Sequence, residues 1–279
     1  MHEIPLVIFT VLAQAVAGSF ILLCALRLAY PQQLGGNSQL LQRCFLCLWS
    51  IFAIAGLAAT THLGQPLRAA NVLFGLAHLS PMSVEIIMVS IFGALGTGSS
   101  LLLWRKADSR LVNILLLTAA LAAIGQLFAI ANVYSLPTVY LWSNHWTPIN
   151  LVFSGLITGS MLTSLLLNTC QIQPVKTPLK LSALKPILAI IFLLTLVLST
   201  AYAMQLTEQL HKLGASLPVW LQLLQIGRIS LLAIGFISCL VIKLNTYKST
   251  PLLLATLTVL TAEILGRILF YELGLLQQL

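Results

Sequence analysis

Residues 83–104 read SVEIIMVSIFGALGTGSSLLLW, then come Arg105-Lys106-Ala107-Asp108-Ser109-Arg110, and residues 111–133 read LVNILLLTAALAAIGQLFAIANV. A helix crosses a bilayer with about 20 mostly apolar residues, because each rises ~1.5 Å through ~30 Å of hydrocarbon. Each of the two apolar runs is long enough. The charged segment between them is too short to be anything but a turn at the membrane surface. The stretch therefore reads as an antiparallel transmembrane hairpin.

Six more runs of the same kind lie outside it, at about 5–29, 41–61, 147–170, 184–206, 219–242 and 251–272. Turn and polar residues separate them: Pro31 with Gly35-Gly36-Asn37, Gly64 with Pro66, Pro137 with Ser143-Asn144, Pro174 with Pro178, and Gly214 with Pro218. Ser80-Pro81 and Thr147-Pro148 each set a capping hydroxyl before a proline at the first helical position. Composition agrees: 59% of the 279 residues are hydrophobic and only 7% charged, against roughly 25% charge in soluble domains. The net charge of +8 is scattered between apolar runs, which suits loops facing an anionic membrane surface better than a nucleic-acid patch. The expectation is an all-α integral membrane protein of eight transmembrane helices, one polytopic domain over residues 1–279. Met1-His2-Glu3-Ile4-Pro5 lacks the basic start of a cleaved signal, and the run from Leu6 to Ala29 exceeds a signal core. The first run is expected to be a retained helix.

Alternate loops differ sharply in charge. One set holds Arg27, Arg43, Arg105, Lys106, Arg110, Lys176, Lys180, Lys185, Lys243 and Lys248; the other holds only Arg68 and Lys212. The positive-inside rule places the first set in the cytoplasm. With an even number of helices, both termini are then expected to be periplasmic. All five histidines (His2, His62, His78, His145 and His211) fall on the outer side.

Ionisable residues within spans are functional candidates, because charge in hydrocarbon is costly. Glu85 lies near the outer start of the third span, Arg228 within the seventh, and Glu263 and Arg267 within the eighth. Glu263 and Arg267 are four apart and can pair on one helix face. Arg228 and Glu263 lie at nearly equal depth, so a cross-helix pair is open as well. These three are either a structural clasp or part of a ligand site. Glu85 and His62 flank one outer loop together with Arg68. Separately they read as a helix-dipole acid and a helix-end histidine; together they read as a proton-handling site facing outward.

Cys44-Phe45-Leu46-Cys47 is followed by Leu48 and so lacks the c-type haem signature, and no second cysteine pair completes a zinc or iron–sulfur set. No histidine sits in a helix interior, as a b-type haem would require. No metal or other permanently bound cofactor is expected. Glycines 93, 96, 98, 155 and 159 suit close helix packing. Trp142, Trp146 and Trp220 read as an interfacial aromatic belt, with the first two as a possible ligand mouth.

The opening His2-Glu3-Ile4-Pro5-Leu6-Val7-Ile8-Phe9-Thr10, the segment His62-Leu63-Gly64-Gln65-Pro66-Leu67-Arg68-Ala69, Trp146-Thr147-Pro148, and Ala262-Glu263-Ile264-Leu265-Gly266-Arg267 followed by Phe270-Tyr271 carry a family likeness. The chain resembles the membrane anchor subunit of dimethyl sulfoxide reductase, the DmsC family, from end to end. The resemblance implies an anchor in the bacterial inner membrane that oxidises menaquinol and passes electrons to an iron–sulfur subunit. That subunit would feed a molybdopterin-containing subunit that reduces sulfoxides or N-oxides, both partners sitting on the periplasmic face. Under this reading Glu85 and His62 take the quinol protons, and Arg68 with the loop to Met82 forms a docking surface. An anchor for another molybdoenzyme, such as a polysulfide or nitrite reductase, differs only in partner. The rival of a different class is a secondary transporter, which calls for paired half-repeats or broken helices with polar residues at the midplane. Here the charges lie toward one face.

Overall fold

In the computed structural model the residues described are 4–35, 38–62, 80–106, 109–135, 139–170, 184–242 and 249–276. Helices α1 (Ile4–Ala29), α3 (Gln39–His62), α4 (Pro81–Trp104), α5 (Ser109–Val133), α6 (Trp146–Thr169), α7 (Lys185–Lys212), α8 (Val219–Val241) and α9 (Thr250–Leu276) follow one another, with a single-turn α2 (Pro31–Leu34) after the first. Among the described residues, eight helices are long and apolar enough to span a membrane. The fold class read from the sequence stands.

Local chemistry explains most boundaries. Ser80 caps α4 by accepting the Ser83 N–H at 3.2 Å, with Pro81 at the first position. The cap expected from Thr147 is not made. Helix α6 begins at Trp146, and the Asn144 side chain accepts the Thr147 N–H at 2.9 Å, since an Asx oxygen three residues back reaches a free N–H more directly. Helix α7 continues to Lys212, beyond the expected end at 206, because hydropathy falls where the backbone ladder does not. Its last turns carry an exposed Glu208–Lys212 ion pair at 2.6 Å.

Helices α1 and α6 run parallel through the centre, each buried along most of its length. Gly18, Gly155 and Gly159 let them touch backbone to backbone: a Cβ on Gly18 would lie 2.2 Å from the Gly155 carbonyl oxygen, and one on Gly159 2.5 Å from the Gly18 carbonyl carbon. Small residues at such crossings replace the hydrophobic drive that lipid cannot supply. Ser19 and Thr163 share a hydrogen bond at 2.8 Å in the same seam. The other two expected packing glycines with neighbours, Gly93 and Gly96, seat Phe52 and Trp49, while Gly98 faces open space.

The two halves of the chain wind alike. In α1, α3, α4 and α5, and again in α6 to α9, the first helix packs on the second and fourth, and the third packs on the fourth. The sequence shows no repeat because the likeness lies in helix contacts rather than residue types. Ile54, Leu57, Leu121, Leu223 and Ile234 are among the large apolar side chains turned outward, as a lipid-facing surface requires.

A buried polar cluster in the histidine half of the bundle

The charged residues singled out within the spans all turn inward: Glu85 is 8% exposed, Arg228 3%, Glu263 2% and Arg267 2%. They lie in the half of the bundle toward which His62, His145 and His211 also lie, with Glu263 nearest the middle.

Arg228 and Glu263 form the expected cross-helix pair, Nη2 lying 3.1 Å from Oε2 and 3.4 Å from Oε1. The same nitrogen donates to Asn150 Oδ1 of α6 at 3.0 Å, so three helices meet at one guanidinium. Gly266 makes room for it: a Cβ there would lie 2.6 Å from Arg228 Nε. The within-helix Glu263–Arg267 pair is not made. Glu263 is engaged by Arg228, and Arg267 turns to α1, where its Nη2 donates to Gln14 Oε1. Gln14 and Asn150 are partners that the sequence reading missed. Their one signal was an amide inside an otherwise apolar run.

Glu85 faces this cluster. Arg267 is the cation that acts on it, and Tyr134 and Tyr271 lie within its electrostatic reach. Those two hydroxyls are 2.5 Å apart. They belong to an aromatic group in which Trp142 stacks on Phe270 at 4.7 Å and donates its indole N–H to the Phe270 carbonyl at 2.9 Å. Trp142 is thus packed on α9 and partly buried, whereas Trp220 is exposed. Among the described residues, Glu85 Oε1, Arg267 Nη1, Gln14 Nε2 and Gln126 Oε1 are buried without a hydrogen-bond partner.

Helix α3 runs antiparallel to α4. Gln42 Nε2 donates to the Leu103 carbonyl at 3.3 Å, Trp49 lies against Gly96 and Phe52 against Gly93. This register carries the end of α3 at His62 to the depth of Ser83, two residues from Glu85. The His62 side chain, and all of Arg68, His2 and His78, lie outside the described residues, as does most of the expected docking loop. On the other flank of α4, Val84 and Met88 line a cleft of about 1090 Å³ that reaches Asn144, His145 and Trp146 on one side and Gln209 on the other. Of Trp142 and Trp146, it is therefore Trp146 that borders this cleft.

At the opposite end, the Arg43 guanidinium donates to the Cys170 carbonyl at 3.2 Å, tying α3 to the end of α6 beside Cys44 and Cys47. Among the described residues the five cysteines are free, and no group of three or more His, Cys, Asp and Glu is placed to hold a metal ion.

The family model described as DMSO reductase anchor subunit (DmsC) matches residues 1–273. The sequence is 31% identical over 276 residues to the C subunit of the anaerobic dimethyl sulfoxide reductase of Escherichia coli (strain K12), covering 98% of this protein and 95% of that one. It is 30% identical over 284 residues to the anaerobic dimethyl sulfoxide reductase subunit YnfH of the same organism, with the same coverage. To the corresponding C subunit from Haemophilus influenzae it is 27% identical over 278 residues.

Proposed function

Because the chain belongs to the DMSO reductase anchor subunit (DmsC) family, we propose that it oxidises menaquinol at a periplasm-facing site and passes the electrons to an iron–sulfur subunit. Membership itself makes it a membrane anchor subunit of a reductase complex, multi-pass in the bacterial inner membrane. In the proposed complex the iron–sulfur subunit feeds a molybdopterin-containing subunit that reduces dimethyl sulfoxide, other sulfoxides or N-oxides. This chain holds no cofactor permanently; menaquinol is its substrate.

The observation that carries the reading is Glu85. It is a buried carboxylate at the histidine end of the bundle, near the depth of His62, with one oxygen unpartnered among the described residues. Oxidising a quinol releases two protons and two electrons. Glu85 and His62 accept the protons, and the electrons go to the iron–sulfur partner. A base works best with a pKa near the operating pH, the range in which histidine starts. The cleft beside Val84 gives a lipid-soluble substrate an approach to α4. Arg68 belongs to the docking face for the partner, and Arg228, Glu263 and Asn150 act as a clasp joining α8, α9 and α6.

The test has two arms. The tagged chain, isolated from membranes in mild detergent, is expected to bring down iron and molybdenum in proportion to itself; isolation with neither metal contradicts the proposal. Reporter fusions after Arg110 and Lys180 are expected to read cytoplasmic, and fusions after Asn144 and Gly214 periplasmic. The inverse pattern would move the site to the wrong face.

A further inference from the structure

Glu85 on α4 and Arg267 on α9 are buried opposite charges within electrostatic reach of each other, yet among the described residues they are not an ion pair. Each keeps one buried atom without a hydrogen-bond partner: an acceptor, Glu85 Oε1, and a donor, Arg267 Nη1. Arg267 makes no ion pair with its neighbour Glu263, which Arg228 holds at 3.1 Å. Its other terminal nitrogen is fixed by Gln14 of α1. A buried charge left in this state is expensive unless something completes its hydrogen bonds. The group that satisfies an acceptor and a donor at once is a hydroxyl.

We infer that Arg267, steered by Gln14, is a second catalytic residue, and that it and Glu85 hold one hydroxyl of the quinol between them. The inference rests on the reading of Glu85 as the quinol base. In the step, the quinol O–H donates to Glu85 Oε1 while Arg267 Nη1 donates to the same oxygen. One proton passes to the carboxylate, and the proton of the other hydroxyl goes to His62 as in the proposed function. The two electrons leave to the iron–sulfur partner, and the oxygen becomes a quinone carbonyl that Arg267 still binds. Arg267 keeps its proton throughout. A donor aimed at an oxygen that gains negative character as its proton departs favours the transition state over the ground state.

A hydroxyl can come from quinol or from water, and the experiment separates them. The whole complex is prepared with Arg267→Gln, Arg267→Lys and Gln14→Leu. For each, binding of a quinol-site inhibitor bearing a phenolic hydroxyl is measured beside quinol-driven and dye-driven turnover. Losing a hydrogen bond from a charged donor is worth about tenfold or more. Arg267→Gln is therefore expected to weaken inhibitor binding and lower quinol-driven kcat by at least about tenfold, with dye-driven turnover kept. Arg267→Lys should recover part of both, and Gln14→Leu should lose about threefold to tenfold. If Arg267→Gln does not assemble, the other two decide. Parental binding and kcat in the assembled variants mean that water fills the position, and the inference falls. If Glu85→Gln also keeps parental quinol turnover, the functional reading falls with it; if Glu85→Gln fails while the Arg267 and Gln14 variants are intact, only this inference is lost.

Discussion

Replacing Glu85 with glutamine is expected to cut quinol-driven reduction by about a hundredfold or more, the low end of what a positioned general base contributes. Glutamine keeps the size of the side chain and its capacity to hydrogen-bond but cannot take a proton. Glu85 makes no ion pair among the described residues, so its neutralisation leaves no cation newly stranded by a lost salt bridge, and the complex should still assemble. Reduction driven by an artificial dye bypasses the quinol and enters at the partner subunits. It should therefore stay within about twofold of the parent, the difference expected for chemistry the substitution does not touch. His62→Ala should show the same pattern with a smaller loss, since Glu85 remains to accept a proton. The two activities measured on one membrane preparation check this. Parental quinol turnover in both variants would remove the proposed base.

The second large effect falls on assembly rather than turnover. Glu263→Gln leaves Arg228 buried at 3% exposure with its carboxylate partner gone. Breaking one side of a buried pair costs about 3–5 kcal/mol in soluble proteins. Lipid offers the stranded cation no better refuge, although snorkelling and water defects reduce the penalty for charges in membranes. The amount of protein recovered in the membrane, read by immunoblot against Glu85→Gln, is expected to fall severalfold. Gly266→Ala should act in the same direction, because its Cβ would overlap the Arg228 guanidinium. Parental abundance with quinol turnover lost would reassign Arg228 and Glu263 from the clasp to the site.

Much of this was legible in the residues, for physical reasons. A bilayer demands a long apolar run for every crossing, so eight spans could be read directly, and a charge inside such a run announces itself. Glu85, Arg228, Glu263 and Arg267 were found that way. What each charge would choose as partner was not legible. Arg267 has a carboxylate four residues away on its own helix, yet bonds Gln14, 253 positions distant. That choice depends on where α1 lies, and on Arg228 having already engaged Glu263. Amides such as Gln14 and Asn150 sit inside spans at little cost and stand out weakly in the sequence. Helix ends were legible only to the resolution of hydropathy, which drops before α7 stops and says nothing of whether Asn144 or Thr147 makes the cap.

The central claim is that this protein, rather than a partner subunit, holds the quinol-oxidising site, at the histidine end of its bundle. Photolabelling the intact complex with a light-activated menaquinone analogue, followed by peptide mapping, tests it most directly. The account predicts label on this protein within the first turns of α4 or the adjoining end of α3, suppressed by excess menaquinol. Competable label confined to the partner subunits, or to the end of the bundle that carries Arg43, Arg105 and Lys185, would contradict it.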